Sequence, residues 1–221
     1  MSQGDQNQRP IETYEHLVNR GAEDDLNPRS LIYGSPIGRR FFDISLDTST
    51  SDRHSKAAIS ACRRFIAGEC SGIVLTGAVG TGKSHLLIAT ILDLARQAMA
   101  SDTFEEIGGI SYAKPMPRIV YFKSADFAAR LREGQYDMRT RASTSTIFAL
   151  DDLGVEMESD FMVSVLQEVF DARYENMLRT FVTTNLSTVD INRRYSERLL
   201  SRWGHGYELI RLNGPDRRVG Q

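Results

Sequence analysis

Residues 71 to 85 read Ser-Gly-Ile-Val-Leu-Thr-Gly-Ala-Val-Gly-Thr-Gly-Lys-Ser-His. The apolar run Ile73-Val74-Leu75 stops at Gly77, and Gly77, Gly82, Lys83 and Ser84 fit the pattern G-x-x-x-x-G-K-[ST]. A long apolar segment, Leu86 to Ala100, follows at once. Strand, glycine-rich turn and helix in that order are the setting a phosphate-binding loop requires. Gly77, Gly80 and Gly82 let the backbone curl so that successive N–H groups face inward at phosphate oxygens. A helix starting near Lys83 adds its positive end to the same spot. Gly77, Ala78, Val79, Gly80, Thr81, Gly82, Lys83, Ser84 and His85 are therefore candidate nucleotide-binding residues. Lys83 is expected to reach the β- and γ-phosphates, and the Ser84 hydroxyl to ligate Mg²⁺. The alternative, an accidental glycine-rich turn, leaves the matching strand and helix on either side unexplained.

A companion lies downstream. The apolar run Ile147-Phe148-Ala149-Leu150 ends in Asp151-Asp152. Asp151 would hold Mg²⁺, mostly through water, and Asp152 is placed to orient or deprotonate an attacking water. The competing reading is an ordinary acidic strand-end turn. The strand after it ends in Thr183-Thr184-Asn185, where a neutral amide can hydrogen-bond a phosphate or the lytic water without adding repulsion. In Glu197-Arg198-Leu199-Leu200-Ser201-Arg202-Trp203 two arginines stand one turn apart. Guanidinium forks suit charge on a transferring phosphoryl group, and they suit a solvated basic helix face equally well.

The remaining chain reads as α/β. Composition is ordinary for a globular domain, with 41% hydrophobic and 25% charged residues among 221. The formal net charge of −2 offers no global nucleic-acid signature, so any such contact must be local. Cys62 and Cys70 lack metal-ligand spacing and read as reduced thiols. The N-terminus is polar and no run approaches membrane-spanning length, which predicts a soluble, cytoplasmic protein with no membrane partner.

Residues 1 to 35 are expected to form a flexible arm, in which Ile11, Tyr14, Leu17 and Val18 fall at helical spacing and either dock a partner or fold back. The turn cluster Gly34-Ser35-Pro36 marks the start of the domain, residues 36 to 221. Helices are expected over 51–68, 86–100, 124–133 and 161–177, and further strands over 118–123, 179–184 and 207–212. Residues 101 to 117 show no periodicity and read as a long loop. Strands alternating with helices imply a mostly parallel sheet covered on both faces, with ligand residues at the carboxyl ends of the strands.

With these pieces assembled, the chain resembles AAA+ ATPases of the DnaC/IstB-like helicase-loader family. The most telling stretch runs from Leu166-Gln-Glu-Val-Phe-Asp-Ala-Arg-Tyr-Glu-Asn to Thr183-Thr-Asn-Leu-Ser187, together with Gly77 to His85 and the corner Asp151-Asp152-Leu153-Gly154. The resemblance covers about residues 36 to 212. It implies a P-loop NTPase with a parallel five-stranded sheet ordered 5-1-4-3-2, helices on both faces, and ATP sandwiched between subunits that self-associate. Lys83, Ser84, Asp151, Asp152 and Asn185 would act in cis, and Arg202 or Arg198 would complete a neighbour's site in trans. The chain ends soon after the fifth strand, so the helical lid is expected to be reduced or absent, with Arg217 or Arg218 standing in for its arginine.

In such proteins the region after the second strand lines a single-stranded DNA path. Here it holds Arg130, Arg132, Arg139, Arg141, Phe127 and Tyr136, which would equally form a solvated face. The expected function is an ATP-hydrolysing loader of a replicative helicase onto single-stranded DNA. A transposition helper on duplex DNA and a nucleotide-gated adaptor with little hydrolysis are the alternatives. A small-molecule kinase is disfavoured, because Asp151-Asp152 with Asn185 suits water activation better.

Overall fold

A computed structural model of the chain describes residues 27–101, 104–107, 110–113, 116–157 and 159–217. The expected amphipathic segment around Ile11 to Val18, and Arg218, lie outside these residues. The strands are β1 (Ile32–Gly34), β2 (Gly72–Gly77), β3 (Phe104–Ile107), β4 (Ile110–Ala113), β5 (Ile119–Lys123), β6 (Ile147–Leu153), β7 (Arg179–Thr184) and β8 (Tyr207–Leu212). The α-helices are α1 (Lys56–Ala67), α2 (Lys83–Ala100), α3 (Ser124–Arg132), α4 (Asp137–Thr144), α5 (Asp160–Glu175), α6 (Thr188–Tyr195) and α7 (Glu197–Gly206).

Alternation along the strands decides which helices cover which face. Ile73, Leu75, Tyr121, Ile147, Ala149 and Phe181 point to one side and join the apolar positions of α1 and α2. Val74, Phe122, Phe148, Leu150 and Val182 point to the other, where α3 through α7 pack around Phe127, Phe170 and Trp203. Burial on both faces explains why these strands read as continuous apolar runs.

The main sheet is parallel, ordered β1-β5-β6-β7-β2-β8. Five of its strands therefore stand in the expected 5-1-4-3-2 order, and the expected count is corrected from five to six. The sixth is Ile32–Gly34, which pairs with Ile119–Tyr121. It comes from the stretch grouped with the arm, because a three-residue strand that ends in the glycine of the Gly-Ser-Pro turn carries no readable alternation. Three other departures have equally local causes. Residues 104–107 and 110–113, within the expected loop, pair as two antiparallel strands apart from the main sheet. The helix expected from Ser51 begins at Lys56, because Asp52 accepts from the N–H groups of His54 and Ser55 and holds a turn there. Helices α4 and α6 are only eight residues each and were masked in the sequence by their polar composition.

Candidate nucleotide site

At the carboxyl ends of β2, β6 and β7 a cavity of about 510 Å³ opens. Its floor is the loop between β2 and α2, from Val79 to His85. The backbone there is what only glycine tolerates. Gly77 has φ 141°, and a Cβ on it would come 2.3 Å from the Leu212 carbonyl oxygen. Gly80 has φ 80°, and a Cβ there would meet the Asp216 carboxylate at 1.8 Å. Thr81 closes the turn by donating its hydroxyl to the Ala78 carbonyl at 2.9 Å. The Lys83 ammonium is buried and folded back on the loop, donating to the Gly77 and Ala78 carbonyls at 2.9 and 2.7 Å.

Asp152 reaches the cavity, with Asp151 buried beside it, through an irregularity in the ladder. Leu150 pairs with Val182 and Leu153 with Thr184, so Asp151 and Asp152 together stand opposite Thr183. This two-against-one bulge lets adjacent residues aim at the same place, which straight alternation forbids. Asp152 adopts φ 56° and lines the cavity. Asp151 is buried, and burial pushes its carboxyl above the ordinary carboxylate range. The neighbouring Asp152 pushes the same way, and hydrogen bonds from Thr183, Ser84 and Tyr121 oppose both. The Tyr121 hydroxyl, itself raised by burial and by Asp151, lies 3.4 Å from that carboxylate. Asn185 follows the end of β7 and also lines the cavity. The Ser84 hydroxyl beside the Asp151 carboxylate makes an oxygen-only pair, which suits a hard divalent ion that keeps water and phosphate oxygens as its other ligands.

One wall was not foreseen, and a second carries Arg217, one of the two residues expected to stand in for a lid arginine. Phe41, Ile44 and the backbone turn at Thr48–Thr50 close the side opposite the acids, with the Ser49 hydroxyl 3.0 Å from His85 Nε2. This apolar, partly polar wall is the right kind of surface for a nucleotide base, and it comes from residues 41–50, just before α1. On the other side the chain leaves β8 and lies across the phosphate loop. The Arg217 N–H donates to the Gly80 carbonyl at 3.0 Å, and its guanidinium, on the cavity wall, bonds Asp52 at 2.7 Å.

The arginines of α7 are elsewhere. Arg198 and Arg202 both pair with Asp171 of α5, and neither lines the cavity. Of the four arginines expected along a DNA path, three are engaged within the fold. Arg130 donates to the Gly34 carbonyl and lies over Phe122, Arg139 pairs with Glu168, and Arg141 pairs with Asp137 and covers Tyr33. Tyr136 is exposed.

No protein-family model and no curated sequence matches the chain at a significant level. Solved structures do match. A crystal structure of the DnaC helicase loader aligns with a TM-score of 0.63 and 24% identity, over 79% of this chain and 99% of that one. A crystal structure of DnaI aligns with a TM-score of 0.69 and 22% identity, over 87% and 100%. AMPPCP-bound DnaA from Aquifex aeolicus aligns with a TM-score of 0.62 and 18% identity; 82% of this chain matches 53% of that one. At these identities the likeness is one of fold: this chain shares the parallel α/β architecture of the DnaC, DnaI and DnaA structures.

Proposed function

We propose that this chain binds ATP with Mg²⁺, hydrolyses it slowly until subunits assemble, and uses that cycle to place a replicative helicase on single-stranded DNA. The observation carrying the nucleotide part is the convergence, on one cavity, of the loop residues Val79 to His85, Asp152 and Asn185, with Asp151 buried close to Ser84. Lys83 would leave its two loop carbonyls for the β- and γ-phosphates. Ser84 and Asp151 would hold the metal, Asp152 would take or orient the proton of water, and Asn185 would position that water. The bound ion would neutralise phosphate charge. Phe41 and Ile44 would receive the base.

The loading role rests on likeness of fold. One aligned structure is of a helicase loader, and another is of the initiator DnaA with AMPPCP and single-stranded DNA. The part of the arm that precedes the sheet, with the candidate helix at 11–18, is the proposed contact with the helicase. Arg202, or Arg198, would serve the site of the next subunit.

The test combines nucleotide affinity with a loading assay. Wild type should bind a fluorescent ATP analogue, and Lys83→Ala should weaken binding by about 100-fold, as loss of a charged phosphate contact implies. Unchanged affinity would refute the site. With ATP, wild type should transfer purified replicative helicase onto single-stranded DNA with strong salt sensitivity. Preference for duplex DNA would favour the transposition helper. Wild-type turnover no higher than that of Asp152→Asn would favour the adaptor.

A further inference from the structure

The bulge that brings Asp151 and Asp152 together leaves a gap in the β6–β7 ladder, and one side chain fills it. Thr183 is fully buried opposite the two acids. Its Oγ1 accepts the Asp152 backbone N–H at 2.9 Å and lies 2.5 Å from Asp151 Oδ1. Because the N–H of Asp152 can only donate, the Thr183 proton is committed to Asp151. The direction of both bonds is thereby fixed. The same hydroxyl thus aims one acid and anchors the backbone of the other, whose φ of 56° is unusual for a residue with a side chain.

We propose that Thr183 is the positioning residue of the acid pair: it sets the Asp151 carboxylate toward Ser84 and holds Asp152 at the cavity, so that metal capture and water activation depend on one buried hydroxyl. The proposal rests on the assignment of Ser84 and Asp151 to the metal. The other hydroxyls near Asp151 do not substitute for it. Ser84 must turn to the metal when nucleotide enters, and Tyr121 stands at 3.4 Å on the other oxygen. No other side-chain hydroxyl among the described residues is bonded to the Asp152 N–H.

The experiment measures affinity for a fluorescent ATP analogue across a Mg²⁺ titration, with and without metal, in wild type, Thr183→Val and Thr183→Ser. Valine keeps the branched shape suited to a buried strand and removes only the hydroxyl. Thr183→Val should require about tenfold more Mg²⁺ for half-maximal tightening, as expected for loss of an outer-shell partner of a metal ligand. Its metal-free affinity should stay within about twofold of wild type, and Thr183→Ser should restore the wild-type midpoint. In an Asp151→Asn background the valine change should shift the Mg²⁺ midpoint no further. Should the valine variant not fold, Thr183→Ala is measured in its place against the same serine control. A wild-type midpoint in the valine or alanine variant, or a serine variant no better than either, overturns the proposal. So does an equal loss of metal-free and metal-dependent affinity. Absence of any Mg²⁺ effect in wild type would bring down the metal assignment itself and this proposal with it.

Discussion

The ends of β2, β6 and β7 and the helix α7 both hold groups suited to phosphoryl chemistry, yet they are built in opposite ways. At the strand ends the charged groups are pinned: Lys83 by two loop carbonyls, Asp151 by hydroxyls, Asp152 by its own backbone anchor. On α7 the two guanidiniums share one carboxylate, Asp171, and Arg198 keeps two-thirds of its side chain exposed. The first region is complete enough to hold a ligand within one chain. The second does not line the cavity, and under the proposed function it would serve a nucleotide held by another molecule. On the proposed reading, a site divided this way would be silent until copies meet, and assembly would control turnover.

The contrast can be broken or sharpened by substitution. The largest effect is expected at Asp152. Asp152→Asn should lower steady-state ATP turnover by about 10⁴-fold, the upper end for loss of a general base, while nucleotide affinity holds within about threefold. A parallel loss of binding would mean that the residue grips ligand instead of activating water. Next is Arg202→Ala, which should leave binding intact and cost on the order of 10³ in turnover of the assembled protein. If the loss is as large in dilute, unassembled protein, the arginine acts within its own chain and the division fails. Arg198→Ala should cost about fivefold or less, because its pair with Asp171 is solvent-exposed. A larger loss than for Arg202→Ala would exchange their roles.

The smallest effect concerns His85 on the cavity wall. Burial, then the charge of Arg217, holds its pKa below the ordinary 6.5. The folded chain therefore takes up that proton only at lower pH than the unfolded chain does, and stability falls as pH drops below about 6.5. His85→Asn should flatten this part of the profile in thermal melts. An unchanged profile would show that the histidine is freely solvated.

Much of the first region was legible in the sequence, because a phosphate loop is a contiguous motif whose glycines are demanded by backbone geometry. The acids were legible for the same reason, as the end of an apolar run. What stayed hidden depends on register and return of the chain. Thr183 stood in view only as a neighbour of Asn185, since its function follows from a two-against-one mismatch that no single strand displays. The wall at Phe41 and Ile44, and the crossing of Arg217 over Gly80, bring together residues far apart in sequence. Strand β1 is too short to show a period. The arginines along α3 and α4 had the composition of a DNA path, but the structure spends Arg130, Arg139 and Arg141 on Gly34, Glu168 and Asp137.

The division of labour is tested most directly by mixing two dead proteins. Lys83→Ala subunits keep the arginine and lose the phosphate grip, and Arg202→Ala subunits do the reverse. In an equal mixture roughly a quarter of head-to-tail interfaces, by random pairing, join an intact grip to an intact arginine. ATP turnover well above that of either variant alone is the predicted result. Turnover that stays at the sum of the two at every mixing ratio would contradict a site shared between neighbouring copies.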